Sequence, residues 1–415
     1  MHLNILKQTF DMMDKLLDNS AFIMKNKYEK KYFSRKRTLD FKTIFFAVCS
    51  SQKRSLHTEL SSFLIKASGK VSTFSNQAFS KARYKIKSEA FYTVFREAVK
   101  LFCKQKNLKH FRGYRILAVD GTSLLLPDTP ENRKEFGSCG NNQKTYASGS
   151  ASVLYDVLND VILDATMGKC YSSERQDCYD MLERTGEEFT GSQKLILMDR
   201  GYIGREMYHF LEKRNYKYVI RIPNASNTPS AIRNTQLPDC IVTDEKDKTI
   251  VQRIIRIPLS SGETELLVTN LFDQKYTIQD FYELYHMRWS IEEKYLEIKH
   301  KTELEKFTGY KPEGMRQDFF ATLLLANLSS ELKHATEERK KGKEKNKWNY
   351  QISTTAVINV MRENITRIFF EPENRQFMLE MMAEVLKNKR SAIRPNRHAE
   401  RKKPRVVKRY SMNHK

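Results

Sequence analysis

Asp120 closes the apolar run in YRILAVDGTSLLLP, and Asp199 closes the one in QKLILMDRGYIG. Each precedes a glycine-bearing turn, and a single aspartate in such a place is ordinarily a turn former. Two in one domain, each behind a continuous apolar run, stand where ligands bind in open α/β sheets, at the strand ends. A third acid, Glu292, lies in YHMRWSIEEKYLEIKH, Tyr285 to His300. If the three meet, their chemistry is that of a divalent-cation site working on phosphate. Breaking a phosphodiester requires an activated oxygen nucleophile and a stabilised leaving oxygen, and two divalent ions about 3.5–4 Å apart supply both. Mg²⁺ prefers carboxylate and phosphate oxygens. Without cations, three gathered carboxylates repel and raise their own pKa values.

The elements that would position these acids follow from periodicity. On a wheel of about 100° per residue, Tyr285, Arg288, Glu292 and Lys299 share an arc of roughly 60°. Leu284, Met287, Ile291, Tyr295 and Ile298 fill the neighbouring arc, and His286, Glu293 and Glu297 lie opposite. A polar seam bordering a core stripe suits a cleft. It suits equally a solvated face with i,i+4 pairs, and the wheel does not separate the two. The strands are legible from apolar runs. SASVLYDVLNDVILDATMG predicts two strands joined at Asn159-Asp160. The order strand, strand, strand, helix, strand, helix, strand predicts an α/β fold, a mixed sheet with helices packed on it. Residues 223–275 break the pattern as a β-rich insertion. A long helix then begins near Ile278, and another carries Pro312 at its start.

The flanks are helical. Residues 1–110 are basic, with Arg83, Lys85 and Lys87 ahead of an amphipathic helix. That pattern fits a DNA-contacting head or a plain helical bundle with a basic surface. KKGKEKNK reads as a charged linker, and two further helices fall within 336–390. Residues 391–415 have almost no apolar side chains and a dense positive charge, so they are expected to stay disordered until they meet a polyanion. No internal repeat is visible.

Bulk properties narrow the class. The 415 residues carry a formal net charge of +23 and are 40% hydrophobic, enough for a real core. The positive excess points to a polyanionic partner, nucleic acid first and an anionic membrane second. No apolar run approaches membrane-spanning length, and the N-terminal segment lacks the features of a signal peptide. The six cysteines are scattered, without the close pairs of a zinc site, and Cys170 and Cys178 are too widely spaced to form one. A reducing cytosol with free thiols is the expected compartment.

Together, the motifs resemble a known family. Tyr285-x2-Arg288-x3-Glu292-x6-Lys299 matches the signature of DDE transposases in the insertion sequence 4 family, and AVDGT around Asp120 and MDRGYIG around Asp199 resemble its first and second acid motifs. The resemblance covers residues 113–335 well and the flanks more loosely. It implies an RNase H-like catalytic core over 111–335, interrupted by the insertion, with Asp120, Asp199 and Glu292 as a triad holding two Mg²⁺ or Mn²⁺ ions. It implies that Tyr285, Arg288 and Lys299 grip DNA near the cleaved end. Their chemistry agrees: Arg288 can pair bidentately with phosphate, Lys299 can hold a second phosphate, and Tyr285 can stack on an exposed base. Arg200 and Tyr202 are candidate helpers, or equally an ion-paired arginine and a packed aromatic. The expected activity is cut-and-paste transposition on double-stranded DNA, at terminal inverted repeats and target. A homodimer on DNA, joined through the helices after about 336, is inferred from the family, acting in the cytoplasm at the nucleoid and not at a membrane. The alternatives are a DNA-binding derivative without catalysis and an RNase H-fold nuclease without strand transfer. One departure stands out. Some members use a tryptophan in the insertion to trap a flipped base, whereas here the tryptophans are Trp289 and Trp348, and Glu292 follows Asp199 by only 93 residues. A flipped base and a hairpin intermediate are therefore not carried over.

Overall fold

The computed structural model describes residues 1–393, apart from 36–37, 68, 70, 72, 106, 142–143, 187–191, 224–227, 229, 234–235, 260–261 and 340–348. The linker KKGKEKNK, Trp348 and all but the first three residues of the basic tail lie outside the described residues. The chain divides into two compact units, one of Met1–Phe102, Leu125–Ala147 and Ile298–Lys415, the other of Cys103–Leu124 and Ser148–Glu297. The N- and C-terminal helices therefore belong to one unit instead of forming separate regions. No helix among the described residues is long and apolar enough to cross a membrane.

The first unit is helical. It holds α1 (His2–Leu17), α2 (Ser20–Lys25), α3 (Phe41–Cys49), α4 (Leu56–Lys66), α5 (Asn76–Arg83), α6 (Glu89–Cys103), α7 (Pro130–Phe136), α13 (Pro312–Glu338), α14 (Thr354–Phe370) and α15 (Arg375–Leu386). A two-stranded ribbon pairs β10 (Asn349–Ile352) with β11 (Arg390–Ile393). The 27-residue α13 is buried on nearly every side between Gly314 and Thr336, as expected of a helix at the centre of a bundle. Two of its buried polar residues, Gln317 and Asp318, are held by Arg83. Arg83, 3% exposed, bonds Gln317, Thr308, the Gly314 carbonyl and, at 2.9 Å, Asp318. Arg83 therefore braces the bundle and does not belong to a DNA-facing basic run; Lys85 and Lys87 instead lie over the rings of Tyr32 and Tyr28.

The second unit is built on the sheet. Its strands are β1 (Tyr114–Leu125), β3 (Lys144–Asp156), β4 (Val161–Lys169), β5 (Gln193–Met198), β6 (Lys217–Ile222), β7 (Asp239–Thr243), β8 (Val251–Pro258) and β9 (Thr264–Thr269). The remaining short strand β2 (Ser138–Asn141) pairs with the first four residues of β3, in the first unit. From one edge the order is β4-β3-β1-β5-β6-β9-β8-β7, with β1, β5 and β6 parallel and β3 and β4 antiparallel. This is the RNase H-like order. The insertion does not stand apart from it, because β9, β8 and β7 continue the same sheet as an antiparallel meander beyond β6. Helices α8 (Glu174–Thr185), α9 (Arg205–Lys213), α10 (Ser230–Arg233), α11 (Ile278–Met287) and α12 (Trp289–Leu296) complete the unit. The turn at Asn159-Asp160 forms where expected, with Asp160 at φ 52°.

Two expectations need correction. Asp120 does not end its strand, since β1 runs on to Leu125. The signature stretch is not one regular helix: α11 ends at Met287, α12 begins at Trp289, and Glu297–Lys301 winds as a π-helical turn. At the junction Arg288 N bonds the Tyr285 carbonyl and Ile291 N the Arg288 carbonyl, tight i to i+3 bonds that shift the helical phase. Angles counted at a uniform step across both irregularities do not hold.

Candidate active site

The register of the parallel strands places the two aspartates. Ala118 on β1 pairs with Leu197 on β5, the last such pair. Asp120 and Asp199 each follow two residues later, so they occupy register-equivalent positions, Asp120 within β1 and Asp199 just past the end of β5, on neighbours that run about 4.8 Å apart. Residues two apart on a strand point to the same face. Both side chains are fixed locally. Gly121 N donates to Asp120 Oδ1 at 2.9 Å, and Gly201 N donates to Asp199 Oδ1 at 2.7 Å. Asp199 thereby caps the 3₁₀ turn Arg200–Tyr202.

Glu292 arrives on α12, which is anchored twice. Lys294, 3% exposed, bonds Asp160 at 2.9 Å and Glu297 at 2.8 Å. On the same helix Tyr295 donates its hydroxyl to the main-chain carbonyl of Asp120 at 2.8 Å. Glu292 itself receives Arg288 Nη2 at 2.8 Å. Arg288 is 7% exposed, and its Nε is enclosed without a hydrogen-bonding partner, so the guanidinium has donor capacity beyond Glu292.

A fourth acid was missed by reading the sequence. Glu174 opens α8 behind the cap Ser173, and its carboxyl lies over Gly121, where any Cβ would collide with it. It belongs to SSERQDCYDMLERT, which reads as an ordinary capped helix start with an acid favoured by the helix dipole. Only the fold brings it beside Asp120. The electrostatics record the gathering. Burial first, then the neighbouring Asp199 and Glu174, push the Asp120 carboxyl up to about 6, against the opposing Gly121 bond and Arg288. Burial and then Asp199 and Asp177 push Glu174 up as well.

The carboxylates do not stand at ligand-to-ligand spacing. Among the described residues, the one group of three or more potential ligands lying within 4.8 Å of one another is His2, Glu331 and His334, far from these acids in sequence. Asp120, Asp199 and Glu292 are wider apart as a set, with Glu292 turned onto Arg288. Still, the donor set is all carboxylate and partly buried, and the Asp120 carboxyl is raised first by burial and then by its acidic neighbours. Those properties fit hard divalent cations.

The remaining expected DNA contacts separate into groups. Arg200 is exposed beside Asp199. Tyr285 is 2% exposed and Tyr202 fully buried, both with hydroxyls lacking a hydrogen-bonding partner. Neither ring offers a face for a base to stack on, because both are packed into the unit's core. The Tyr285 ring instead lies 5.6 Å from the Arg288 guanidinium, while Trp289, 43% exposed, flanks that guanidinium at the same distance. Lys299 belongs to the first unit, on the π turn, 3.6 Å from Glu305.

The chain is similar to known transposases. A family described as a transposase DDE domain matches residues 111–328. The transposase InsG of insertion sequence element IS4 from Escherichia coli (strain K12) is 24% identical over 317 residues, covering 71% of this chain and 70% of that protein. Among solved structures, a cryo-EM structure of piggyBac transposase in a synaptic complex with hairpin DNA aligns at 10% identity with a TM-score of 0.49, over 91% of this chain and 85% of that one.

Proposed function

We propose that this chain, which belongs to the transposase DDE-domain family and is of the insertion sequence 4 type, cuts DNA at the ends of its element and joins the freed ends to a target. The observation that carries the reading is the register-equivalent placement of Asp120 and Asp199 on adjacent parallel strands, with the helix bearing Glu292 tied to the Asp120 carbonyl by Tyr295. Asp120, Asp199 and Glu292 would hold two divalent ions, Mg²⁺ or Mn²⁺, and Glu174 stands close enough to share that work. When bound, such ions activate the attacking oxygen and stabilise the leaving one.

The chain's own residues supply the rest. Arg288 presents a planar fork that pairs with phosphate, and engaging phosphate would release Glu292 from its ion pair. The rings of Tyr285 and Trp289 each lie 5.6 Å from that guanidinium. Arg200 offers an exposed cation beside Asp199. Lys299 is a further phosphate contact on family grounds. The net charge of +23 concentrates DNA at the surface. Synapsis of two ends implies a homodimer on DNA, and the substrate places the protein with the host chromosome in the cytoplasm.

The test is an assay with Mg²⁺ or Mn²⁺ on DNA carrying the element's own ends. Asn at Asp120 or Asp199 and Gln at Glu292 should each abolish cutting and leave end binding intact. Binding without cutting by the parent chain would favour a DNA-binding derivative, and cutting without joining would favour a nuclease. Cleavage surviving all three substitutions defeats the assignment.

A further inference from the structure

The helical unit contains a second cluster of donors of different chemistry, unrelated to phosphate. His2 opens α1, and Glu331 and His334 lie three residues apart near the end of α13. That spacing puts both on one face of a helix. His2 Nδ1 is 2.7 Å from Glu331 Oε2, the two imidazole rings are 5.1 Å apart, and one ligand atom from each of the three lies within 4.8 Å of the others. The Glu331 carboxylate is only 2% exposed.

We propose that His2, Glu331 and His334 form a Zn²⁺ site that staples α1 to α13. Two imidazole nitrogens and one carboxylate oxygen make a borderline donor set, which suits Zn²⁺ and is poor for Mg²⁺. Bonds of about 2.1 Å to a tetrahedral ion set ligand atoms roughly 3.4 Å apart, a spacing these side chains reach by small rotations. A carboxylate three residues before a histidine on one helix is a recurrent way for bundles to aim two ligands inward. The ligand shell is also oriented: with Nδ1 on the metal, His2 turns Nε2 toward Glu338 Oε1, now 3.6 Å away, the carboxylate–histidine arrangement that fixes a ligating ring. One coordination position is left for water. The staple would join residues 329 apart in sequence, so its effect falls on the stability of the helical unit and not on the chemistry of the acids.

The full chain, stripped of metal and held in excess Mg²⁺ to occupy oxygen-only sites, is titrated with Zn²⁺ alone. Bound zinc is counted after gel filtration, and Tm is followed in parallel. The parent should bind one more equivalent than His334→Ala or Glu331→Gln, and its Tm should rise with Zn²⁺ while theirs does not. His2→Ala, at the end of α1, tests the same ligand set without touching α13 and should lose at least tenfold in affinity. Because comparison is between parent and variants, zinc on the six cysteines cancels. A parent and variants that bind equal zinc, or a Tm indifferent to Zn²⁺ in all of them, overturn the proposal. Either result leaves the DNA-cutting assignment untouched.

Discussion

The Tyr295 hydroxyl donates to the main-chain carbonyl of Asp120 at 2.8 Å. One hydrogen bond thus links the strand bearing the first acid to the helix bearing the third, one turn from Glu292. Tyr295→Phe keeps the buried ring and removes the link. The expected loss of stability is about 0.5–1.5 kcal/mol, read by denaturant unfolding. Cutting should fall by more than that figure accounts for, on the order of tenfold or greater, because small misplacements in a catalytic constellation are costly. End binding should be unchanged. Cutting at the parent rate would show that the bond is only structural.

Glu174 and Gly121 make a paired prediction. Glu174→Gln removes a charge from the acid cluster while preserving shape. Gly121→Ala places a Cβ where the Glu174 carboxyl now lies, and the flexible side chain swings away before the backbone moves. Both variants should weaken Mn²⁺ binding in the same direction, by about 10–100-fold if Glu174 acts as a supporting ligand. Paramagnetic resonance of free Mn²⁺ measures this without DNA. Unaltered affinity in both would confine Glu174 to its place in the first turn of α8.

These residues also show what the sequence disclosed. Asp120 and Asp199 stand out because a buried parallel strand writes itself as a continuous apolar run; the end of the run is the end of the strand at Asp199 but not at Asp120, where β1 continues to Leu125. Arg288 and Glu292 share a polar seam in the sequence, and their i,i+4 spacing still brings them together across the irregular junction between α11 and α12. Lys299 was misplaced on the wheel because a π turn has no signature in residue type. Tyr285 reads as a base-stacking ring and Tyr202 as a helper or equally a packed aromatic, because a tyrosine serves core and surface equally well and only folding shows the burial of each. Glu174 was invisible for a further reason. Its neighbour is Gly121, more than fifty residues away, and a short-range pattern carries no trace of that encounter. Arg83 was read as surface charge because its partners, Gln317 and Asp318, lie on a helix far along the chain.

The Arg83–Asp318 pair carries its own prediction. Both side chains are almost completely enclosed. Burial alone would raise the Asp318 carboxyl, but Arg83 and Lys53 beside it overcome that and hold it below the usual aspartate value. A depressed acid stabilises the fold above its unfolded pKa and gives that stability up as pH falls through the folded value. Stability from this pair should therefore be flat from neutrality down to about pH 4 and decline below. Asp318→Asn leaves Arg83 buried without its counter-charge and should cost about 3–5 kcal/mol, measured by denaturant unfolding at pH 7. A loss within experimental error would mean the guanidinium finds water instead.

Asp120 predicts the opposite slope. Its carboxyl is pushed up to about 6, first by burial and then by Asp199 and Glu174. The folded chain therefore holds this proton more tightly than the unfolded chain does. Its contribution to stability is favourable in acid and is lost as pH rises from about 4 to about 6. A cation at the acids reverses the balance, because ligands must be deprotonated to bind. With EDTA present, the parent chain's Tm should fall relative to Asp120→Asn across that window. With Mn²⁺ present, the parent should instead gain on the variant as pH climbs past 6. Each proton displaced weakens Mn²⁺ binding about tenfold per pH unit below that point. Crossing curves in the two buffers would mark Asp120 as a titrating cation ligand, whereas parallel curves for parent and variant in both would remove it from the site.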